Sequence, residues 1–256
     1  MKRKHALKGI LFILPSFAGV CVFWLLPYVD VIRRSFCGAV NGEFVGIENY
    51  RTIFANKAFR LAAGNTLRFF GVCVPLLVVL SLIIAVLLAG QKRFTQILKS
   101  FFLLPMAIPV ASVVLLWRLL FDDQGLLNHL LHMLSVQTTD WMNTGASFYV
   151  LVISYIWRNL GYDVVLWMAG LSAIPAALYE AAKVDGATRM QLIWNITIPS
   201  LLPTYFVLLM LNIANFLSNG MEQYYVFQNA FNMDTIQVLD LYVYNLAMGS
   251  GSYSVS

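Results

Sequence analysis

Residues 174–203 read IPAALYEAAKVDGATRMQLIWNITIPSLLP, a polar stretch set between two greasy ones, 148–170 before it and 205–217 after it. Pro175 suits a first helical position, where its missing N–H would be unpaired anyway. Ala176, Ala177, Leu178, Glu180, Ala181, Ala182 and Lys183 are strong helix formers. Gly186 can take positive φ and end that helix in a sharp turn. Residues 188–198 are helix-compatible again, and Pro199 and Pro203 lead into the next apolar run. Ala181, Ala182 and Ala187 are small enough for a partner's surface to approach the backbone. Glu180, Lys183, Asp185 and Arg189 would then surround an apolar knob of Leu178, Tyr179 and Val184. A structured loop between two membrane spans is expected to present itself to another protein.

The rest of the chain sets that loop in a bilayer. Of its 256 residues, 60% are hydrophobic and 11% charged, against about half and a quarter in soluble domains. A spanning helix needs roughly 20 mostly apolar residues. Five stretches qualify: 9–29, 69–90, 101–121, 148–170 and 201–219. They predict one integral membrane domain over 1–256. Met1-Lys2-Arg3-Lys4-His5 resembles the charged start of a signal peptide. The apolar run behind it is too long, though, and ends in Trp24-Leu25-Leu26-Pro27-Tyr28 without a small-residue cleavage pattern, so it reads as an uncleaved anchor. Cys21, Cys37 and Cys73 are scattered and form no metal or disulfide pattern. The net charge of +5 is spread beside the spans and forms no nucleic-acid surface. With the N-terminus inside, nine Lys and Arg fall on the cytoplasmic side and seven on the other, a weak bias in the expected sense.

Glu180-Ala181-Ala182, three residues, Gly186, nine residues, then Ile196-x-Ile198-Pro199 resembles the EAA loop of importer permeases driven by ATP-binding cassettes, with Ile198 where leucine is usual. The resemblance implies an all-α membrane fold, the type I importer transmembrane domain. It also implies a cytoplasmic coupling loop over 171–200 whose first helix docks on an ATPase subunit. Glu180, Ala181, Ala182, Asp185, Gly186, Ala187, Ile196 and Pro199 would carry that coupling, and the loop's side of the membrane puts the N-terminus in the cytoplasm. The chain lacks the G-x-x-x-x-G-K-[ST] phosphate loop. It is therefore expected to be no enzyme and to bind no cofactor, with ATP and Mg on the partner ATPase. Gly46-x-x-Asn49-Tyr50 followed by Asn65-Thr66-Leu67 is similar to sugar permeases of this class. Gln223-Tyr224-Tyr225-Val226-Phe227-Gln228-Asn229 and Asp240-Leu241-Tyr242-Val243-Tyr244 resemble the branch for complex saccharides and uronate oligomers, with Leu241 in place of threonine. That comparison expects a final span beyond residue 256. The implied partners are a second permease subunit in a heterodimer, two cytoplasmic ATPases, an extracellular sugar-binding lipoprotein and lipid, with no nucleic acid. The implied place is a bacterial cell membrane, crossed several times.

The cargo path is sought where polar groups interrupt the spans. Arg158 and Asp163 lie in the fourth stretch, where a charge costs several kcal/mol unless it faces protein or water. Five residues apart, they stand about 140° apart round a helix and are not natural partners. Asn159 and Tyr162 match substrate-contacting places in the sugar permeases by distance from the EAA loop. Asn212, Asn215, Phe216, Asn219 and Glu222 fall on one helical face, a stripe of amides and a ring suited to sugar hydroxyls or to bonding a neighbouring helix. Pro105 and Pro109 predict a kink in the third span. His129 and His132 lack companions for a metal site. Two other classes are weighed. An ion- or proton-coupled carrier using Arg158 and Asp163 would usually show repeated halves, and none is visible. An intramembrane enzyme would need a motif such as H-E-x-x-H or G-x-S-x-G, and neither occurs.

Overall fold

A computed structural model describes residues 2–38, 42–89, 95–219 and 221–250. They form fifteen α-helices. The first ones are α1 (Lys2–Val20), a π-helical turn at Cys21–Leu25, α2 (Leu26–Ser35), α3 (Glu48–Ala55), α4 (Lys57–Ala89), α5 (Thr95–Ala107), α6 (Val110–Phe121) and α7 (Leu126–Met133). After them come α8 (Ser147–Ser172), α9 (Ala176–Val184), α10 (Arg189–Leu192), a second π-helical turn at Ile193–Thr197 and α11 (Ile198–Ser200). The remainder are α12 (Leu202–Asn219), α13 (Met221–Phe227), α14 (Met233–Ile236) and α15 (Leu239–Ser250). Among the described residues, extended pairing is limited to an isolated bridge between Cys37 and Phe44. Two compact units divide the chain, one made of the residues up to Arg60 with those from Val243, the other of Leu61–Tyr242.

In the first unit, Leu11–Ser35 is long and apolar enough to cross a membrane and buries none of its side chains. Phe12, Phe23 and Trp24 point outward. So bare an apolar helix suits lipid or another helix, not water. The Asn49 amide then donates to the carbonyls of Ser35 and Cys37, each at 2.9 Å, fixing the turn after α2. Sequence reading expects one surface helix through residue 63 and a separate span from 69. Instead Asn56 is extended and its Oδ1 accepts the Ala58 N–H at 2.8 Å, the bond of an N-cap. The surface helix therefore stops at Ala55, and α4 runs 33 residues without interruption.

In the second unit two buried clusters lie along α4, α8 and α12. One gathers Phe69, Leu77, Leu151, Phe216 and Tyr224, the other Val74, Val164, Trp167, Leu201 and Leu208. Trp167 Nε1 donates to Ser81 Oγ at 3.1 Å, so the polar edge of that ring is satisfied inside the apolar packing. α5 and α8 meet at Gly161, where any Cβ would overlap the Phe102 backbone. Backbone contact of this kind is what small residues permit between membrane helices.

The third apolar stretch is not a straight span. Pro109 caps α6 in an extended conformation, and Ser100–Ala107 is bent by 100° from Val110–Met133. Proline disfavours helical geometry in the residue before it, so the break falls there. Gentler bends separate Ser147–Ser172 from Ala176–Val184 (64°) and Arg189–Ser200 from Leu202–Leu217 (58°). By length and composition, two described helices can cross a membrane, or up to five spans exist if each bent pair counts as one. The tail is also helical: α15 occupies part of the segment after which a final span was expected.

Candidate functional site

Two places bring the chemically distinctive residues together, an exposed helix at the bend after α8 and a cavity among α5, α8, α12 and α13.

The exposed helix is α9. It ends at Gly186, whose φ of +80° lies in the left-handed region that glycine alone enters freely. The Gly186 N–H donates to the Lys183 carbonyl at 3.1 Å and the Ala187 N–H to the Ala182 carbonyl at 2.9 Å. This pair of bonds is a Schellman cap, and it explains why the glycine sits four residues after Ala182. Two residues on, Thr188 and Gln191 form a reciprocal capping box that starts α10. That signal, T-x-x-Q, was present in the sequence and went unread.

Glu180, Ala181, Lys183, Val184, Asp185 and Gly186 are exposed, while Ala182, Ala187 and Ile196 are half-buried and Pro199 lies exposed in α11. Leu178 and Val184 project as the expected apolar knob, Val184 with 88% of its surface free. Tyr179 does not join them. Its hydroxyl lies 3.0 Å from Thr197 Oγ1, and Thr197 in turn donates to the Leu192 carbonyl at 3.2 Å. The ring is thus turned inward and ties α9 to the wide turn that follows α10.

The cavity measures about 450 Å³ and is lined by Met106, Tyr155, Arg158, Asn159, Asn215, Met221, Glu222 and Gln223. Its volume is in the ordinary range for a small-molecule site, roughly 300–1,000 Å³. Asn159 Nδ2 donates to the Tyr155 carbonyl at 2.8 Å, and Gln223 Nε2 to Ser154 Oγ at 2.7 Å. These bonds hold both amides against α8. The lining offers one cation, one carboxylate, three amides, a phenol and two thioethers, a mixture able to exchange hydrogen bonds with a polyhydroxylated ligand.

Of the residues expected on a cargo path, Arg158, Asn159, Asn215 and Glu222 meet here, and Tyr162, Asp163, Asn212 and Phe216 do not. Asp163 is 1% exposed and accepts a 2.8 Å bond from Asn212 Nδ2, which also donates to the Leu208 carbonyl at 3.1 Å. That pair bonds α8 to α12, the interhelical alternative the sequence left open. Phe216 is core: it stacks on Phe69 and meets Phe70 and Tyr155 by its edge. Tyr162 is half-buried and off the lining. Asn219 ends α12, and its side chain lies outside the described residues.

The single stripe divides because consecutive residues stand 100° apart round a helix. Phe216 faces the core while Asn215 faces the cavity, and Glu222 belongs to α13 and not to the same helix. Tyr155, Met106, Met221 and Gln223 are lining residues not singled out beforehand. Tyr155 could have been found, lying three and four residues before Arg158 and Asn159. Met106 could not, because the packing of α5 on α8 brings it there, a contact between segments far apart in the chain.

Comparison with known proteins adds identity to this geometry. Residues 78–255 match the family described as "Binding-protein-dependent transport system inner membrane component". The polygalacturonan/rhamnogalacturonan transport system permease protein YteP of Bacillus subtilis is 29% identical over 255 residues, 96% of this chain and 79% of that protein. The trehalose/maltose transport system permease protein MalF of Thermococcus litoralis is 33% identical over 217 residues, 82% of this chain and 74% of the relative. Among solved structures, a chain of a bacterial alginate ABC transporter in complex with an alginate pentasaccharide-bound periplasmic protein superposes with a TM-score of 0.84 at 25% identity, covering 99% of this chain and 87% of that one. These relatives are transport permeases and not enzymes, and the carrier alternative gives way to them. The chain is a multi-pass membrane permease subunit and belongs to the family of binding-protein-dependent transport system inner membrane components.

Proposed function

We propose that this chain is one of two different permease subunits in an ATP-driven oligosaccharide importer, and that α9 is its handle on a cytoplasmic ATPase. The observation that carries the reading is the build of α9: a short helix capped at Gly186, tied at Tyr179, and leaving Leu178 and Val184 bare. An apolar knob on a braced helix suits insertion into a cleft, with Glu180 and Asp185 at its rim. A push on α9 passes through Tyr179 to Thr197 and the start of α12, and through residues 173–175 to α8. The two helices reached in this way carry Arg158, Asn159 and Asn215. ATP and Mg belong to two ATPase subunits, and an extracellular sugar-binding lipoprotein delivers cargo. In this reading 1–256 is one transmembrane domain with a cytoplasmic N-terminus and the coupling loop at 171–200. Ile196 and Pro199 set the exit of that loop.

The test is saccharide-stimulated ATP hydrolysis by the assembled, reconstituted complex. Glu180→Lys and Gly186→Pro should each abolish the stimulation, and a complex that keeps it with either variant overturns the proposal.

A further inference from the structure

α3 is fastened to the end of the bare apolar span Leu11–Ser35. The Tyr50 and Ser35 hydroxyls lie 2.7 Å apart, the Tyr50 ring meets Phe36 at 5.5 Å, and the Asn49 amide holds the Ser35 and Cys37 carbonyls. The helix thus lies where that span leaves the lipid tails, the level at which amphipathic helices and tyrosines settle. Ile47, Tyr50, Arg51, Phe54 and Ala55 fall at i, i+3, i+4, i+7 and i+8, one helical face. Together with Arg60 they line an open groove of about 600 Å³. Its floor is the exposed apolar surface of Ile47, Tyr50 and Phe54, and Arg51 and Arg60 supply its charge.

The arginines near this end of the span differ in how each charge is met. Arg33 and Arg34 share the Asp30 carboxylate, at 3.0 and 2.7 Å. Arg60 gives its Nε–H to the Phe54 carbonyl at 2.6 Å, which closes the groove and leaves its terminal nitrogens for a ligand. Arg51 has neither an ion pair nor a side-chain hydrogen bond among the described residues. An apolar floor beside two unneutralised cations has the two-part layout of an anionic phospholipid. An acidic protein surface would match the cations and leave the floor uncovered. We propose that the groove binds one anionic phospholipid of the leaflet at which α2 ends, its acyl chain along Ile47, Tyr50 and Phe54 and its phosphate on Arg51 and Arg60. Guanidinium N–H groups match phosphate oxygens in paired bonds, and basic groups at a bilayer surface attract anionic headgroups. The inference needs the chain to lie in a membrane and is independent of its cargo.

The experiment is equilibrium lipid binding to the full chain in its assembled complex, purified in a neutral detergent and read by native mass spectrometry. The probes are dioleoyl phosphatidylglycerol, dioleoyl phosphatidylcholine and dimethyl phosphate, which carries the charge without the chains. The tightest site should take phosphatidylglycerol about tenfold or more tighter than either of the other two. Arg51→Gln, which breaks no hydrogen bond within the described protein, should weaken that site about fivefold. Arg51→Gln combined with Arg60→Gln should abolish its preference for the anionic lipid. Arg33→Gln, at the same end of the span but already met by Asp30, should keep it. Equal binding of the two lipids, equal binding of dimethyl phosphate, or equal loss in Arg33→Gln overturns the inference. A preference that survives the double variant overturns it too, and weaker capture of a sugar-binding protein by that variant would then give the groove to a protein.

Discussion

Asp163 and Asn212 show how one polar pair can be right while either half alone is wrong. Both are buried, and the amide of one satisfies the carboxylate of the other. Asn212→Leu leaves the carboxylate without that donor, which should cost about 1–3 kcal/mol. Replacing both partners with leucine should cost less than the sum of the two single changes, since the desolvation penalty leaves with the pair. A double-mutant cycle on thermal unfolding in detergent measures the difference. Gly161 is the other residue whose substitution has a definite sign. Its missing Cβ is what lets α8 lie against the Phe102 backbone. Gly161→Ala should lower stability by about 1–3 kcal/mol through overpacking, seen as a reduced unfolding midpoint and lower yield of assembled complex.

At the scale of the element, α9 works because its two ends are fixed by different chemistry. Gly186→Ala keeps the space, since nothing lies within 4 Å of an added Cβ, but forces an L-residue to φ +80°. The expected cost is about 1–2 kcal/mol, with ATPase coupling weakened and not lost. Tyr179→Phe removes only the hydroxyl that meets Thr197. It should cost about 1 kcal/mol in stability while reducing stimulated ATP hydrolysis more than basal hydrolysis, a split that steady-state rates with and without cargo resolve. Most of this element was legible beforehand: the prolines, alanines and glycine mark where it starts, how it packs and where it stops. The inward turn of Tyr179 was not, because it depends on a π-helical turn at Ile193–Thr197 that no local propensity announces.

For the whole molecule, hydropathy located the apolar stretches, and spacing located the loop between them. What it could not supply was direction, because 60% hydrophobic content makes core-facing and lipid-facing positions look alike. Phe216 and Asp163, sought along the cargo path, pack inside the bundle instead, and the surface helix expected through residue 63 stops at Ala55 because Asn56 caps α4. Topology is open to a direct check. A thiol-reactive, membrane-impermeant label on Val184→Cys in a background free of its three native cysteines should react in inside-out vesicles and not in intact spheroplasts. The seam at Gly161 has a further bearing. Met106 comes to the cavity on α5 and Arg158 on α8, and at Gly161 those two helices are locked main chain against main chain. They form a fixed jaw, so any change in the room available to cargo has to come from the opposite jaw, where α12 gives way to α13.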